Sequence, residues 1–333
     1  MNENPKQSKR PNMRRIARET GYSTATVSRA LAGSNLITAD TRQTVLNCAR
    51  VLGYRFDNCR QIAVITPDLG GRAYFGPLVH MLAAELEKYD FIPVMISLKH
   101  LKLIEQLPFC GAISLLSNDG FERYWGERHI VPLVCINTSP RHLDGIFMVG
   151  SNDAQGMELA VNHLLELGHT RIGRIGGRHS FNSHDNWNSR ARDISFRNLM
   201  EANHLAADLH TILDDAGMIE SVKSVLDRNV TALINLNEGD ELAVYHALNI
   251  LGRKIPEDIS VVSWSEDYVA PYLFPPLTSL RQNYMMLVQE SCKLLRQQLA
   301  GETVEGDVLV DYHFVVGGST AAPRRITRRR RGK

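Results

Sequence analysis

The residues with the clearest chemical purpose crowd into the stretch IARETGYSTATVSRALAG, from Ile16 to Gly33. Val27, Ala30 and Leu31 recur there at helical spacing and turn inward, which leaves Thr24, Ala25, Ser28 and Arg29 on the outer face of the same helix. These side-chain types suit a DNA groove. A guanidinium can fork onto guanine O6 and N7, and the methyl of Ala or Thr can meet a thymine methyl. Helix-turn-helix chemistry needs a first helix across the phosphate backbone, a tight turn, and a second helix whose exposed N-terminal side chains reach base edges. The plainer reading of Arg29, taken alone, is a solvated surface cation.

Three short helices must position that face. Asn12 can cap the first, along which Met13, Ile16, Ala17 and Thr20 recur until Gly21 supplies the permissive backbone that ends it. Ser23 can cap the second, which Gly33 stops. The third runs from near Thr38 through Val45, Ala49 and Leu52 to Gly53. The spacing predicts a basic arm over 1–12, a helical headpiece over 13–58, a linker at 59–61, a body over 62–322 and a basic tail over 323–333. So small a helical core suits a DNA-binding module better than an enzyme domain.

The charge follows that division. Residues 1–60 carry 11 Lys/Arg against 4 Asp/Glu, and the tail from Pro323 adds 7 basic residues, although the whole chain has a net charge of only +2. An acidic body between basic ends is the footprint of a polyanion-binding headpiece on a solvated globular domain. Two merely soluble tails would give the same arithmetic.

From Ile62 onward, buried-strand runs (IAVIT, PVMIS, GAISLL, VPLVCIN, TALINL, ISVVSW) alternate with helical stretches such as AQGMELAVNHLLEL and ELAVYHALNILG. Strands covered by helices on both faces read as continuous Val/Ile/Leu runs. The expected fold is therefore a small all-α helix-turn-helix headpiece followed by an α/β body of two doubly wound, parallel-sheet lobes.

Other classes fit poorly. The five cysteines are scattered, with no metal-ligand spacing, so neither a disulfide framework nor a metal site is expected and a reduced cytoplasm fits best. No apolar run approaches the roughly 20 residues that span a bilayer. A nucleophile elbow, P-loop and HExxH are lacking, and GRIGG at 173–177 lacks dinucleotide-site spacing. His163 and His169, on a helix and at its end, read as surface or capping residues. No catalytic constellation and no cofactor are expected.

At Ile16, Ala17, Thr20, Gly21, Tyr22, Ser23, Thr26, Val27, Ser28 and Arg29 the chain resembles the headpiece pattern of the LacI/GalR family of bacterial transcription regulators. AVNHLLELGHTRIGRIGG (160–177), IPEDISVVSW (255–264) and FPPLTSLRQ (274–282) extend the likeness to about residues 13–322. The resemblance implies a periplasmic-binding-protein-like body, operator DNA as partner, a homodimer or tetramer, and a small effector, carbohydrate or glycoside, held between the lobes. It assigns base reading to Thr24, Ala25 and Arg29. Tyr22, Ser23, Thr26 and Ser28 then suit phosphate contacts that fix register. For the effector it points to Tyr74, Phe75, Arg192 and Asn237, with Ser265 and Glu266 standing where many relatives present an aspartate; Tyr74 and Phe75 suit core packing equally, and Trp264 can stack on a sugar face or pack at its strand end. A stand-alone sugar-binding protein, or a two-lobed enzyme with an accessory DNA-binding module, is the other class, and the first 60 residues fit it poorly.

The chain also departs from the family pattern at Ser195, where the Arg-x-x-Gly-Phe glycine would stand, and most of all after the headpiece. Where relatives carry a Tyr-x-Pro-Asn hinge segment with a leucine wedge, this sequence reads Tyr54 to Gln61 without proline and without a wedge, then enters a strand. Less kinking of bound DNA is therefore expected.

Overall fold

The computed structural model describes residues 12–32, 34, 36–52, 54, 59–67, 75–115, 120–126, 130–138, 143–177, 187–213 and 217–324. The chain forms two compact units, one of residues 1–149 and 288–307, the other of 150–287 and 308–333.

The first unit begins with the headpiece helices α1 (Met13–Thr20), α2 (Thr24–Leu31) and α3 (Ala39–Val51). Asn12 caps α1 by accepting from the Arg15 amide, and Gly21 ends it in the left-handed conformation, φ 73°. Ser23 caps α2, and the Thr38 hydroxyl accepts from the Thr41 amide at the start of α3. Ile16, Val27, Ala30, Val45 and Ala49 form the sealed core, with Tyr22, Leu31 and Tyr54 packed around it. Met13, which recurs with Ile16 at helical spacing, is 41% exposed at the first position of α1. Gly33 and Gly53, the expected helix stops, lie outside the described residues.

The rest of the first unit is a sheet flanked by helices: β1 (Gln61–Thr66), α4 (Phe75–Glu87), β2 (Ile92–Ser97), α5 (Leu103–Gln106), β3 (Phe109–Ser114), α6 (Gly120–Trp125), β4 (Leu133–Ile136) and β5 (Phe147–Ser151). The second unit continues with α7 (Asp153–Glu166), β6 (Ile172–Gly177), α8 (Trp187–Ala202), β7 (His210–Leu213), α9 (Gly217–Leu226), β8 (Ala232–Asn235), α10 (Glu241–Ile250), β9 (Ser260–Trp264) and β10 (Thr278–Arg281). Helix α11 (Tyr284–Ala300) and strands β11 (Val308–Val310) and β12 (His313–Val315) complete the chain.

The sheets repeat one topology, in the orders β11-β5-β4-β3-β1-β2 and β12-β10-β9-β8-β6-β7. Strands β1 to β5 and β6 to β10 pair in parallel, and β12 runs antiparallel to β10. The near-unbroken apolar runs are explained, since β1, β3, β4, β8 and β9 are buried along almost all their length. In open sheets of this order, polar side chains collect beyond the carboxyl ends of the strands, where the order of connection reverses.

Candidate nucleic-acid interface and ligand site

Helix α2 owes its exposed face to one local device. Ser23 Oγ accepts from the Thr26 amide at 3.0 Å and lies 2.9 Å from Thr26 Oγ1, which fixes where the helix starts and hence which residues turn out. Thr24, Ala25, Ser28 and Arg29 are exposed, whereas Val27 and Ala30 are buried. Ser23 and Thr26 hydroxyls thus bond each other at the amino end of the helix, and Tyr22 is half-buried against the core. Helix α1 adds exposed Arg14, Arg15 and Arg18, of which Arg18 pairs with Glu19 at 3.2 Å. Those arginines were legible only as net charge, because their side of α1 depends on how α1 meets α2. The surface offers cations and hydroxyls on α1 and α2, suited to phosphates and base edges.

In the second unit, three side chains and a backbone carbonyl from four other segments meet around Arg192 of α8. Its Nε donates to Asp153 Oδ1 at 2.7 Å, Nη1 to the Leu236 carbonyl at 2.7 Å, and Nη2 to Tyr312 Oη at 2.9 Å. Tyr312 Oη in turn donates to the same Asp153 oxygen at 2.8 Å. The guanidinium carbon sits 4.3 Å from the centre of the Trp264 ring, and Trp264 meets Tyr312 edge-on. Gly156 makes room for this: a Cβ there would stand 2.8 Å from the Tyr312 ring. Burial drives the Asp153 carboxyl upward against the pull of Arg192, and it drives the Tyr312 hydroxyl well above its ordinary range.

Carboxylates crowd the same strand ends. Glu238 accepts from Gln282, whose own oxygen accepts from Ser151, and Ser265 donates to Glu241 at 2.9 Å. Asn235 reaches the Asn237 carbonyl and Ser263, and the Asn237 amide donates to Asp240 at 2.9 Å. Burial, reinforced by the charge of Glu238, pushes the Glu266 carboxyl up to about 8. Among the described residues, Asp153 Oδ2, Glu241 Oε2, Glu266 Oε1 and the indole nitrogen of Trp264 are buried without a hydrogen-bond partner. Donors and acceptors are both left to be satisfied, a pattern that fits hydroxyl groups, which can serve as either.

The expected effector residues fare differently. Arg192, Asn237, Trp264, Ser265 and Glu266 come together at these strand ends. Arg192 has every one of its three bonding nitrogens engaged inside the protein, and Trp264 is fully buried with its face against that guanidinium. Phe75 opens α4 of the first unit, half-buried, and Tyr74 lies outside the described residues. Asp153, Glu238, Glu241, Gln282 and Tyr312 join the cluster without having been foreseen. Asp153 and Glu241 left a trace, each as an acidic residue opening a helix.

Other features are structural. Gly173 of GRIGG is a packing glycine, since a Cβ there would stand 2.5 Å from Val225. His169, expected as a surface or capping residue, is buried and clasps Thr231, Ser260 and the Ala321 carbonyl, with burial holding its pKa down. His163 sits 2.9 Å from Thr320. No group of metal-ligating side chains and no helix long and apolar enough to cross a membrane occurs among the described residues.

Known proteins resemble both parts of the chain. Residues 12–57 match the family profile of bacterial regulatory proteins of the lacI family, and residues 161–320 match that of a periplasmic binding protein-like domain. The HTH-type transcriptional regulator MalR of Streptomyces coelicolor is 28% identical over 331 residues, covering 92% of this chain and 96% of that protein. A LacI family transcriptional regulator from Enterococcus faecium, solved with bound ribose, shares 25% identity over 79% of this chain and 100% of that one, with a TM-score of 0.66. The lac repressor dimer bound to operator and an anti-inducer has the same fold, with 21% identity, a TM-score of 0.67, and coverage of 94% and 100%.

Proposed function

With a lacI-family regulatory domain joined to a periplasmic-binding-protein-like domain, the chain is a transcriptional regulator of the LacI family, and we propose that it is a repressor whose operator affinity is set by a small ligand. The observation that carries this is the outer face of α2, where Thr24, Ala25, Ser28 and Arg29 are exposed behind a Ser23 cap. A homodimer presents two such faces and reads two half-sites related by its own two-fold axis. Thr24, Ala25 and Arg29 read bases, while Ser28, Tyr22 and the α1 arginines fix register on phosphates. Bound DNA is kinked less than in relatives, because β1 already begins at Gln61 and the sequence before it lacks the wedge leucine.

The ligand is a sugar or glycoside, and it engages the strand ends of the second unit. The unpartnered oxygens of Asp153 and Glu241 support that reading, because ligand hydroxyls can donate to them, and a protonated Glu266 can donate to a hydroxyl in return. The bound ribose of the Enterococcus faecium relative points the same way. The target is a catabolic operon and the compartment the cytoplasm. The deciding experiment selects binding sites from random duplex with full-length protein at moderate salt, then repeats the binding with a panel of sugars. A two-fold symmetric site, released or tightened by one sugar, is expected. Indifference to sequence with and without every sugar overturns the proposal.

A further inference from the structure

Away from both regions, two thiols meet at the root of the linker. Cys59 stands two residues ahead of β1, and Cys110 is the second residue of β3. The ladder between these strands slips there: Gln61 pairs with Phe109 but Ile62 with Gly111, so Cys110 is the extra residue of a β-bulge. The bulge brings Cys110 Sγ to 3.3 Å from the Gln61 carbonyl oxygen, and Cys59 Sγ lies 4.0 Å from that same oxygen. The two side chains hydrogen-bond each other, and Cys59 also lies against the Pro108 carbonyl. Both are half-buried, unlike Cys135 and Cys292, which are buried. The bond from Cys110 pulls the Cys59 pKa down; the same contact, with burial, drives Cys110 up. Cys59 therefore ionises first, with a second thiol waiting beside it.

We propose that Cys59 and Cys110 are a redox modification site, oxidised by hydrogen peroxide to a disulfide that ties the linker to β3. The Cys59 thiolate attacks one peroxide oxygen, forming an S–O bond and breaking the O–O bond, and hydroxide leaves. The Cys110 sulfur then attacks the sulfenic sulfur, the S–S bond forms, the S–O bond breaks, and the hydroxyl leaves as water with the Cys110 proton. Two thiols lose two electrons and peroxide becomes two waters. Disulfides that form transiently in a reducing compartment are characteristically of this sensing kind.

The position gives the bond a consequence. Residues 55–58 alone separate Cys59 from Tyr54, which packs on the headpiece core. The segment carrying Cys110 begins at α5, where Gln43 of α3 donates to the Glu105 carbonyl at 3.1 Å. A covalent tie here fixes the point from which the chain joins headpiece to body, and so bears on the effective concentration of the second headpiece once the first is on DNA. This consequence rests on the DNA-binding reading; the chemistry of the pair does not.

The test titrates reduced full-length protein with hydrogen peroxide, blocks remaining thiols and maps peptides without reductant. The expected first product links the Cys59 and Cys110 peptides within one chain and reverts with dithiothreitol. In Cys110→Ser, dimedone is expected to label Cys59. Earlier oxidation at Cys48, or a link between chains, overturns the site. Operator affinity is then compared for reduced and oxidised protein on a fragment selected with reduced protein. A reversible change of about threefold or more is expected in the wild type and in neither Cys59→Ser nor Cys110→Ser. Equal affinities overturn the regulatory role. Failure of reduced protein to select any sequence overturns the DNA-binding reading, while the peptide map still decides the dithiol.

Discussion

Arg29 and Arg192 bring the same guanidinium into opposite surroundings. Arg29 is exposed in the last turn of α2, and Arg192 is 4% exposed and bonded at three nitrogens to Asp153, Leu236 and Tyr312. An exposed arginine holds its fork ready for an outside partner at little cost to folding. A buried one must have its charge compensated inside the fold, so its bonds report on stability first and on ligand second. An arginine at a site is thus a reader or a keystone according to what its neighbours leave it to do.

The comparison is most exposed to failure at Arg192. Arg192→Ala strands the buried Asp153 carboxylate, and a loss of about 3 to 5 kcal/mol in unfolding free energy is expected from denaturant titration. A near-neutral result would mean that Arg192 is not held as described. Arg29→Ala is expected to weaken specific DNA binding by about 1 to 3 kcal/mol while leaving the unfolding midpoint and ligand-induced thermal shift in place. Loss of both together would signal misfolding and erase the contrast. Ser23→Ala removes the cap that sets the outward face, with an expected cost of about 1 kcal/mol in stability and a parallel loss of DNA affinity.

Glu266 gives the effect that pH itself can turn on and off. Its folded pKa of about 8 lies above the ordinary 4.5, so the folded state holds the proton more tightly than the unfolded chain does. Its contribution to stability is therefore complete below about 4.5 and declines as pH rises through 8. Glu266→Gln should flatten that stretch of the stability–pH profile, measured by thermal unfolding at several pH values. An unchanged slope would place Glu266 in contact with water.

The headpiece was largely legible because its signals are local. Ser23, Gly21 and the spacing of Ile16, Val27 and Ala30 act within one or two helical turns, and the α/β alternation of the body is likewise written in short runs. Met13 shows the limit of such reading, since period alone does not say where a short helix stops touching its neighbours. The polar cluster was only half legible. Trp264, Ser265 and Glu266 follow a recognisable strand, but Asp153 and Tyr312 stand 159 residues apart and meet only because the second sheet brings their segments together.

The sequence by itself determined the helices, their caps, the outward set on α2 and the order of strands and helices, all of which follow from propensity and periodicity over a few residues. Tertiary structure alone decided that Arg192 is spent on Asp153 and Tyr312, that Trp264 is sealed beneath it, and that a slipped ladder sets Cys59 beside Cys110. Burial and pairing between distant segments have no periodicity to announce them, because they depend on which strand ends the fold brings to one place.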